Sequence, residues 1–167
     1  MSERRFLTVM AVFDKQTQDI LGEIQSFFIQ NISSGSQTMG IPFHLTLGSY
    51  PTDELDNVIE KIKTVAEKAK PFDIKLMSYG HFGDKVLFLE PEITDELKDL
   101  RKCFECDYAN GFEWVPHATL FCGDGDEVAR AMASAPKIDF PIFAEIVGIE
   151  LGEFFPAEKK FNIDFKQ

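Results

Sequence analysis

The chain has three histidines, and two of them occupy matching frames: Pro42-Phe-His44-Leu-Thr46-Leu and Val115-Pro-His117-Ala-Thr119-Leu. Each frame reads as the start of a β-strand. Side chains alternate along a strand, so residues two apart share a face. His44 therefore faces the same way as Thr46, and His117 the same way as Thr119. Leu45 and Ala118 face the opposite side. A lone strand histidine is more often structural than catalytic. The doubling shifts the weight, because a Thr two places after a given His is about a 1-in-20 event in this composition. If the frames converge, the set suits phosphodiester chemistry. A neutral imidazole takes a proton from the attacking hydroxyl or water, and a protonated one gives a proton to the leaving oxygen. The threonine hydroxyls donate to the non-bridging phosphate oxygens. The scheme requires no metal and no cofactor.

The elements that must position these residues follow from periodicity and turn chemistry. Residues 5–13 read as a strand, and Lys15–Asn31 as an amphipathic helix with Ile20, Leu21, Ile24, Phe27 and Phe28 at helical spacing. Ser33–Ser36, extended to Gly40, reads as a loop. A strand over 43–49 is stopped by Pro51, and a helix over 54–70 ends at Pro71. Strands over 72–79 and 85–90 form a hairpin around Gly80–Asp84. A helix spans 94–106, a strand 114–122, and a short helix 127–135. Strands over 138–144, 146–154 and 160–165 complete the chain. His44 and His117 each precede a turn, a helix, a proline (Pro71 and Pro136) and an apolar strand. That is a weak duplication of a β-α-β unit, and it predicts two lobes related by a pseudo-two-fold axis with a cleft between them. The fold class expected is α+β with mainly antiparallel sheet.

These paired motifs resemble the 2H phosphoesterase superfamily, which contains bacterial 2′-5′ RNA ligase-like proteins (LigT type) and cyclic nucleotide phosphodiesterases. The resemblance covers most of the chain. The segment Tyr79–Pro91, followed by Leu97 and Leu100, is similar to the family's central hairpin and helix. It implies a single bilobal domain over residues 1–167 with a central groove. It also implies metal-independent cleavage or ligation of 2′,3′-cyclic or 2′,5′-linked phosphates. By motif, His44 and His117 become the acid–base pair, with His44 as acid and His117 as base, and Thr46 and Thr119 become the phosphate holders. The expected function is hydrolysis of a 2′,3′-cyclic phosphate or similar small phosphoester. The alternatives are RNA 2′-5′ ligation or processing, and non-catalytic binding of a phosphate ligand by the same fold.

Composition narrows the substrate. Lys plus Arg is 17 and Asp plus Glu is 28, a formal net charge of −11. Residues 90–167 carry 8 basic and 17 acidic side chains, a net of −9, and no Lys or Arg follows either motif closely. Binding a long polyanion relies on neutralising phosphates, so long RNA is disfavoured and a mononucleotide-sized ligand is favoured. No apolar run approaches the roughly 20 residues of a membrane span. Three cysteines do not make a disulfide framework, which fits a reducing cytoplasm.

Other candidates have weaker claims. Cys103-Phe-Glu-Cys106 falls late in a helical pattern rather than at a helix start, and with Cys122 it lacks a fourth zinc ligand. His81 reads as a surface residue of the hairpin. Asp124 and Asp126 fit helix capping better than a calcium loop. Tyr50, Phe82, Trp114 and Phe155 could stack on a base, but core packing is the more frequent use of such residues.

Overall fold

The structure is a computed structural model, and it describes residues 4–109 and 113–167. In chain order the elements are β1 (Phe6–Phe13), α1 (Lys15–Asn31), β2 (His44–Pro51), a 3₁₀ turn (Thr52–Glu54), α2 (Leu55–Lys68), β3 (Phe72–Phe82) and β4 (Val86–Pro91). They continue with α3 (Asp95–Lys102), β5 (Ala118–Cys122), α4 (Gly125–Ser134), β6 (Ile142–Phe154) and β7 (Glu158–Asp164). The fold is α+β, with helices flanking an antiparallel sheet.

The duplication seen in the sequence is a β-α-β-α-β repeat. The first copy runs β1-α1-β2-α2-β3 and the second β4-α3-β5-α4-β6. Strand order is β2-β1-β6-β3-β4-β5, with β7 added beside β6. The order is a palindrome in which the copies exchange their third strands. β6 pairs with β1 of the first copy, and β3 pairs with β4 of the second. β3 and β6 pair with each other in the middle, Ile74 opposite Ala144. All these pairings are antiparallel. Strands β2, which begins at His44, and β5, which begins just after His117, end this path, yet they contact one another, so the sheet curls and brings its extremes together.

Hydrophobic burial holds this arrangement. Leu7, Val9, Ala11, Leu45 and Leu47 of β1 and β2 join Leu21 and Phe28 of α1, Leu87 and Leu89 of β4, and Leu120 and Phe121 of β5 in one core. Burying each of the Leu, Val and Phe side chains among these contributes about 1.5–3 kcal/mol. Helix α1 packs on β5 and β6, α2 on β6 and β7, α3 on β2, and α4 on β4. Among the described residues no helix is long and apolar enough to cross a membrane.

The elements depart from the sequence expectation in four places. The two strands expected at 138–144 and 146–154 are one 13-residue strand, β6, whose partner changes midway: residues 142–146 pair with β3, and residues 148–153 pair with β7. The hairpin turn sits at 83–85, with Gly83 at φ +53°, because β3 continues to Phe82. Helix α3 ends at Lys102 rather than residue 106. Finally, β5 begins at Ala118, leaving 114–117 outside the ladder; residues 110–112, just before this segment, lie outside the described residues.

Candidate active site

Strands β2 and β5 present their motifs alike. Burial alternates half-buried, buried through His44-Leu45-Thr46-Leu47 and again through His117-Ala118-Thr119-Leu120. A register shift then follows each threonine. In β2, Val9 pairs with Gly48 and Met10 with Thr46, so Leu47 is unmatched. In β5, Leu87 pairs with Phe121 and Phe88 with Thr119, so Leu120 is unmatched. One extra residue bends a strand and re-aims its side chains, and such bulges recur beside active sites. Both extra leucines are fully buried, which anchors each bend in the core.

The imidazoles are held in the same way too. Nδ1–H of His44 donates to the Pro42 carbonyl at 2.8 Å, and Nδ1–H of His117 donates to the Val115 carbonyl at 2.8 Å. A carbonyl only accepts, so in the neutral ring Nδ1 carries the hydrogen and Nε2 keeps the lone pair. Among the described residues neither Nε2 nor either threonine hydroxyl has a hydrogen-bond partner. Burial disfavours the charged ring at both sites. It lowers His44 to about 4, against the raising effect of the Pro42 carbonyl, and nearby His117 lowers it further. Burial also lowers His117, partly offset by its bond to Val115. His117 packs edge-on to Phe82 at 4.6 Å and 83°, and lies 5.2 Å from Phe88. A Cβ on Gly80 would come within 2.5 Å of the Phe88 ring, so glycine there makes room for this backing.

Two cavities adjoin across the motifs. One, of about 480 Å³, is lined by His117, Thr46, Ser49, Phe82, Trp114, Glu113 and their neighbours. The other, of about 330 Å³, is lined by His44, Thr46, Thr119, Gln25, Met39, Phe155 and others. Thr46 and Ser49 line both, so the four motif residues share one continuous depression. Among the described residues no Lys or Arg lines either cavity.

Two positioning roles escaped the sequence reading, which weighs Trp114 only for stacking or core packing and does not single out Arg101. Trp114 Nε1–H donates to the Thr46 carbonyl at 2.9 Å. The buried Arg101 guanidinium donates through Nη1 to the Leu47 carbonyl and through Nη2 to both Asp107 carboxylate oxygens at 3.0 Å, and lies 5.4 Å from the Trp114 ring. The backbone at and after Thr46 is thus held from outside β2. The sequence held one signal for this. Arg101 falls on the apolar stripe of α3, four residues after Leu97 and three before Phe104.

The remaining candidates lie elsewhere or serve structure. His81 bonds the Gly83 carbonyl and lines neither cavity. Cys103, Cys106 and Cys122 are free thiols, and Cys103 is exposed. Among the described residues no group of three His, Cys, Asp or Glu is placed to hold a metal. Asp124 caps α4 in a reciprocal pair with Glu127. Phe82, Trp114 and Phe155 line the cavities, while Tyr50 packs against the core.

The fold and the paired motifs define a class, the proteins built on the LigT-like scaffold. The chain superposes on TT0787 of Thermus thermophilus with a TM-score of 0.63 and 17% identity, covering 96% of this chain and 97% of that one. It superposes on E. coli LigT in complex with 3′-AMP with a TM-score of 0.63 and 15% identity, covering 99% and 100%. At these identities the likeness is one of fold. The family model of the 2′-5′ RNA ligase superfamily matches residues 14–151, and the chain belongs to that superfamily. A Bacillus cytotoxicus protein named "putative phosphoesterase" is 29% identical over 92 residues, 48% of this chain. The match spans about half the length, 51%, of that relative.

Proposed function

We propose that this protein is a phosphodiesterase that opens a 2′,3′-cyclic phosphate or a similar small phosphoester by two-histidine acid–base catalysis without a metal. The observation that carries the reading is the mirrored setting of the motifs. Two imidazoles with the same tautomer, each beside an unpartnered threonine hydroxyl, border one depression. The phosphate lies between them, its non-bridging oxygens accepting from Thr46 and Thr119. One Nε2 accepts the proton of the attacking water as the O–P bond forms. The other ring, protonated, delivers its proton to the departing ribose oxygen. In the free protein both rings favour the neutral form. A bound phosphate anion favours the charged form, so substrate brings the acid into its protonated state. The relative seen with 3′-AMP supports a nucleotide-sized ligand on this fold.

Replacing His44 or His117 by alanine is expected to lower turnover of a nucleoside 2′,3′-cyclic phosphate by roughly 10²–10⁴. EDTA leaves the wild-type rate unchanged, and the rate against pH is bell-shaped. Full activity in both alanine variants, or loss of activity on chelation, rejects the mechanism.

A second reading, cleavage or ligation of a 2′-5′ bond between two nucleosides, is favoured by the presence of cavities on both flanks of the motifs. A dinucleoside 2′-5′ monophosphate turned over faster than the cyclic phosphate would select it.

A further inference from the structure

The larger cavity has a chemical character of its own. Its flat walls are Trp114 and Phe82, and each ring is braced by neighbours. Trp114 is held through Nε1 by the Thr46 carbonyl, and the Arg101 guanidinium sits over its ring. Phe82 is wedged against His117 and lies 4.5 Å from Phe88. Fixed aromatic walls beside a phosphate-binding centre favour a stacked planar ring. The volume, about 480 Å³, lies within the roughly 300–1,000 Å³ of small-molecule sites.

The charged groups on this wall are carboxylates. Asp107 is committed to Arg101. Glu113 is exposed and has no hydrogen-bond or ion-pair partner among the described residues. With no lysine or arginine among the described residues of the wall, the cavity offers a carboxylate acceptor and repels further phosphate. A carboxylate has two acceptor oxygens and no donor. It is best met by two neighbouring N–H groups on one ring edge. Guanine carries such a pair at N1 and N2. Adenine and cytosine place an amino group beside an acceptor nitrogen, and uracil flanks its N–H with two carbonyls. Each of those turns a lone pair toward the carboxylate.

We propose that this cavity is a nucleobase site selective for guanine, with Glu113 reading the N1–N2 edge while Trp114 and Phe82 hold the ring. The inference rests on the nucleotide reading of the adjoining motifs. It narrows the substrate to a guanosine phosphoester bearing no second phosphate on the Glu113 side.

Trp114 is the only tryptophan in the chain, so its fluorescence reports on this wall without any turnover. The experiment titrates the full chain with the 2′-monophosphates of guanosine, inosine, adenosine and uridine and follows that emission. Guanosine monophosphate is expected to bind about tenfold more tightly than the inosine compound, which lacks the N2 amino group. Glu113→Gln is expected to reduce that ratio to about one, with near-UV circular dichroism confirming the fold. Equal affinities across the four nucleotides, no emission change with any of them, or a guanosine preference that survives Glu113→Gln overturns the proposal. The outcome is separable from the catalytic reading. Guanosine selectivity with no hydrolysis of cyclic phosphates rejects the activity and keeps the site, and hydrolysis indifferent to the base does the reverse.

Discussion

The outer edge of β2 is covered mainly by main chain and a buried cation, that of β5 by glutamine amides and a loop. Residues 106–109 run beside β2, with Ser49 N–H donating to the Cys106 carbonyl at 2.7 Å and Ala109 N–H to Ser49 Oγ at 2.9 Å. Arg101 takes the Leu47 carbonyl. On β5, Gln25 Nε2–H donates to the Leu120 carbonyl at 2.9 Å, Gln37 Oε1 accepts from Cys122 N–H at 3.1 Å, and Ser36 N–H donates to the Cys122 carbonyl at 2.7 Å. The position after the unmatched leucine differs to suit. It is Gly48 in β2, where a Cβ would run into the Phe104 carbonyl oxygen, and Phe121 in β5, where the ring packs 6.0 Å from Phe28. The two copies thus share what aims the histidine and the threonine, and differ in what closes the sheet edge. Tautomer, bulge and burial alternation are common to the two motifs, and the covering is not.

The largest effects test whether the two halves act as one unit. The His44→Ala/His117→Ala double variant should fall no more than about tenfold below the weaker single variant, since groups that act together are strongly non-additive. A 4-nitrophenyl phosphodiester needs no protonation of its leaving oxygen. With His44 as the acid it should restore His44→Ala far more than His117→Ala, and the opposite rescue would exchange the roles. Next comes the edge itself. Gly48→Ala should destabilise by about 3 kcal/mol in urea unfolding, because the obstacle is backbone rather than a movable side chain. A neutral result would show the 104–107 segment to be loosely held. The two coverings should then separate in size. Arg101→Met is expected to cost about 2 kcal/mol and Gln37→Ala about 1 kcal/mol, since hydrogen bonds to a charged group exceed neutral ones. Equal costs would contradict the ranking.

The smallest effect concerns the unequal histidine environments. Folding lowers the pKa of both rings from 6.5. Well above pH 6.5 both are neutral, folded or unfolded. Below it the unfolded chain takes up protons that the folded chain refuses, so stability falls as the pH drops, until the folded values are reached, about 4 for His44. Comparing melting temperatures at pH 7 and pH 5, His44→Asn should lose more of this decline than His117→Asn. A larger loss for His117→Asn would reverse the order of desolvation.

Much of this arrangement was legible in local sequence. The His-x-Thr spacing placed four side chains on two strand faces, and the helical stripes of α1, α2 and α3 were readable from periodicity. What escaped is long-range. Nothing near Glu145 says that β6 continues through it. Continuity comes from Asp14, whose N–H donates to the Glu145 carbonyl and whose carboxylate accepts the Glu145 N–H. The end of α3 was misread because Phe104 keeps the helical stripe while the chain has already turned. The bonds that draw Cys106 and Ala109 to Ser49 lie more than fifty residues away in sequence. The covering of the site by Trp114 and Arg101 is of the same kind.

The exchange of third strands has a consequence for how the protein is made. A growing chain that has emerged only to Phe140 already contains both histidine motifs and both of their helices. It lacks β6, the inner neighbour of β1 and of β3. The β3-β4-β5 half is complete without it, but the β2-β1 half cannot join that half until residues 142–154 leave the ribosome, and the sheet that carries both histidine motifs is continuous only then. The pairing of the two motifs is set by a late event of synthesis, whichever motif was translated first.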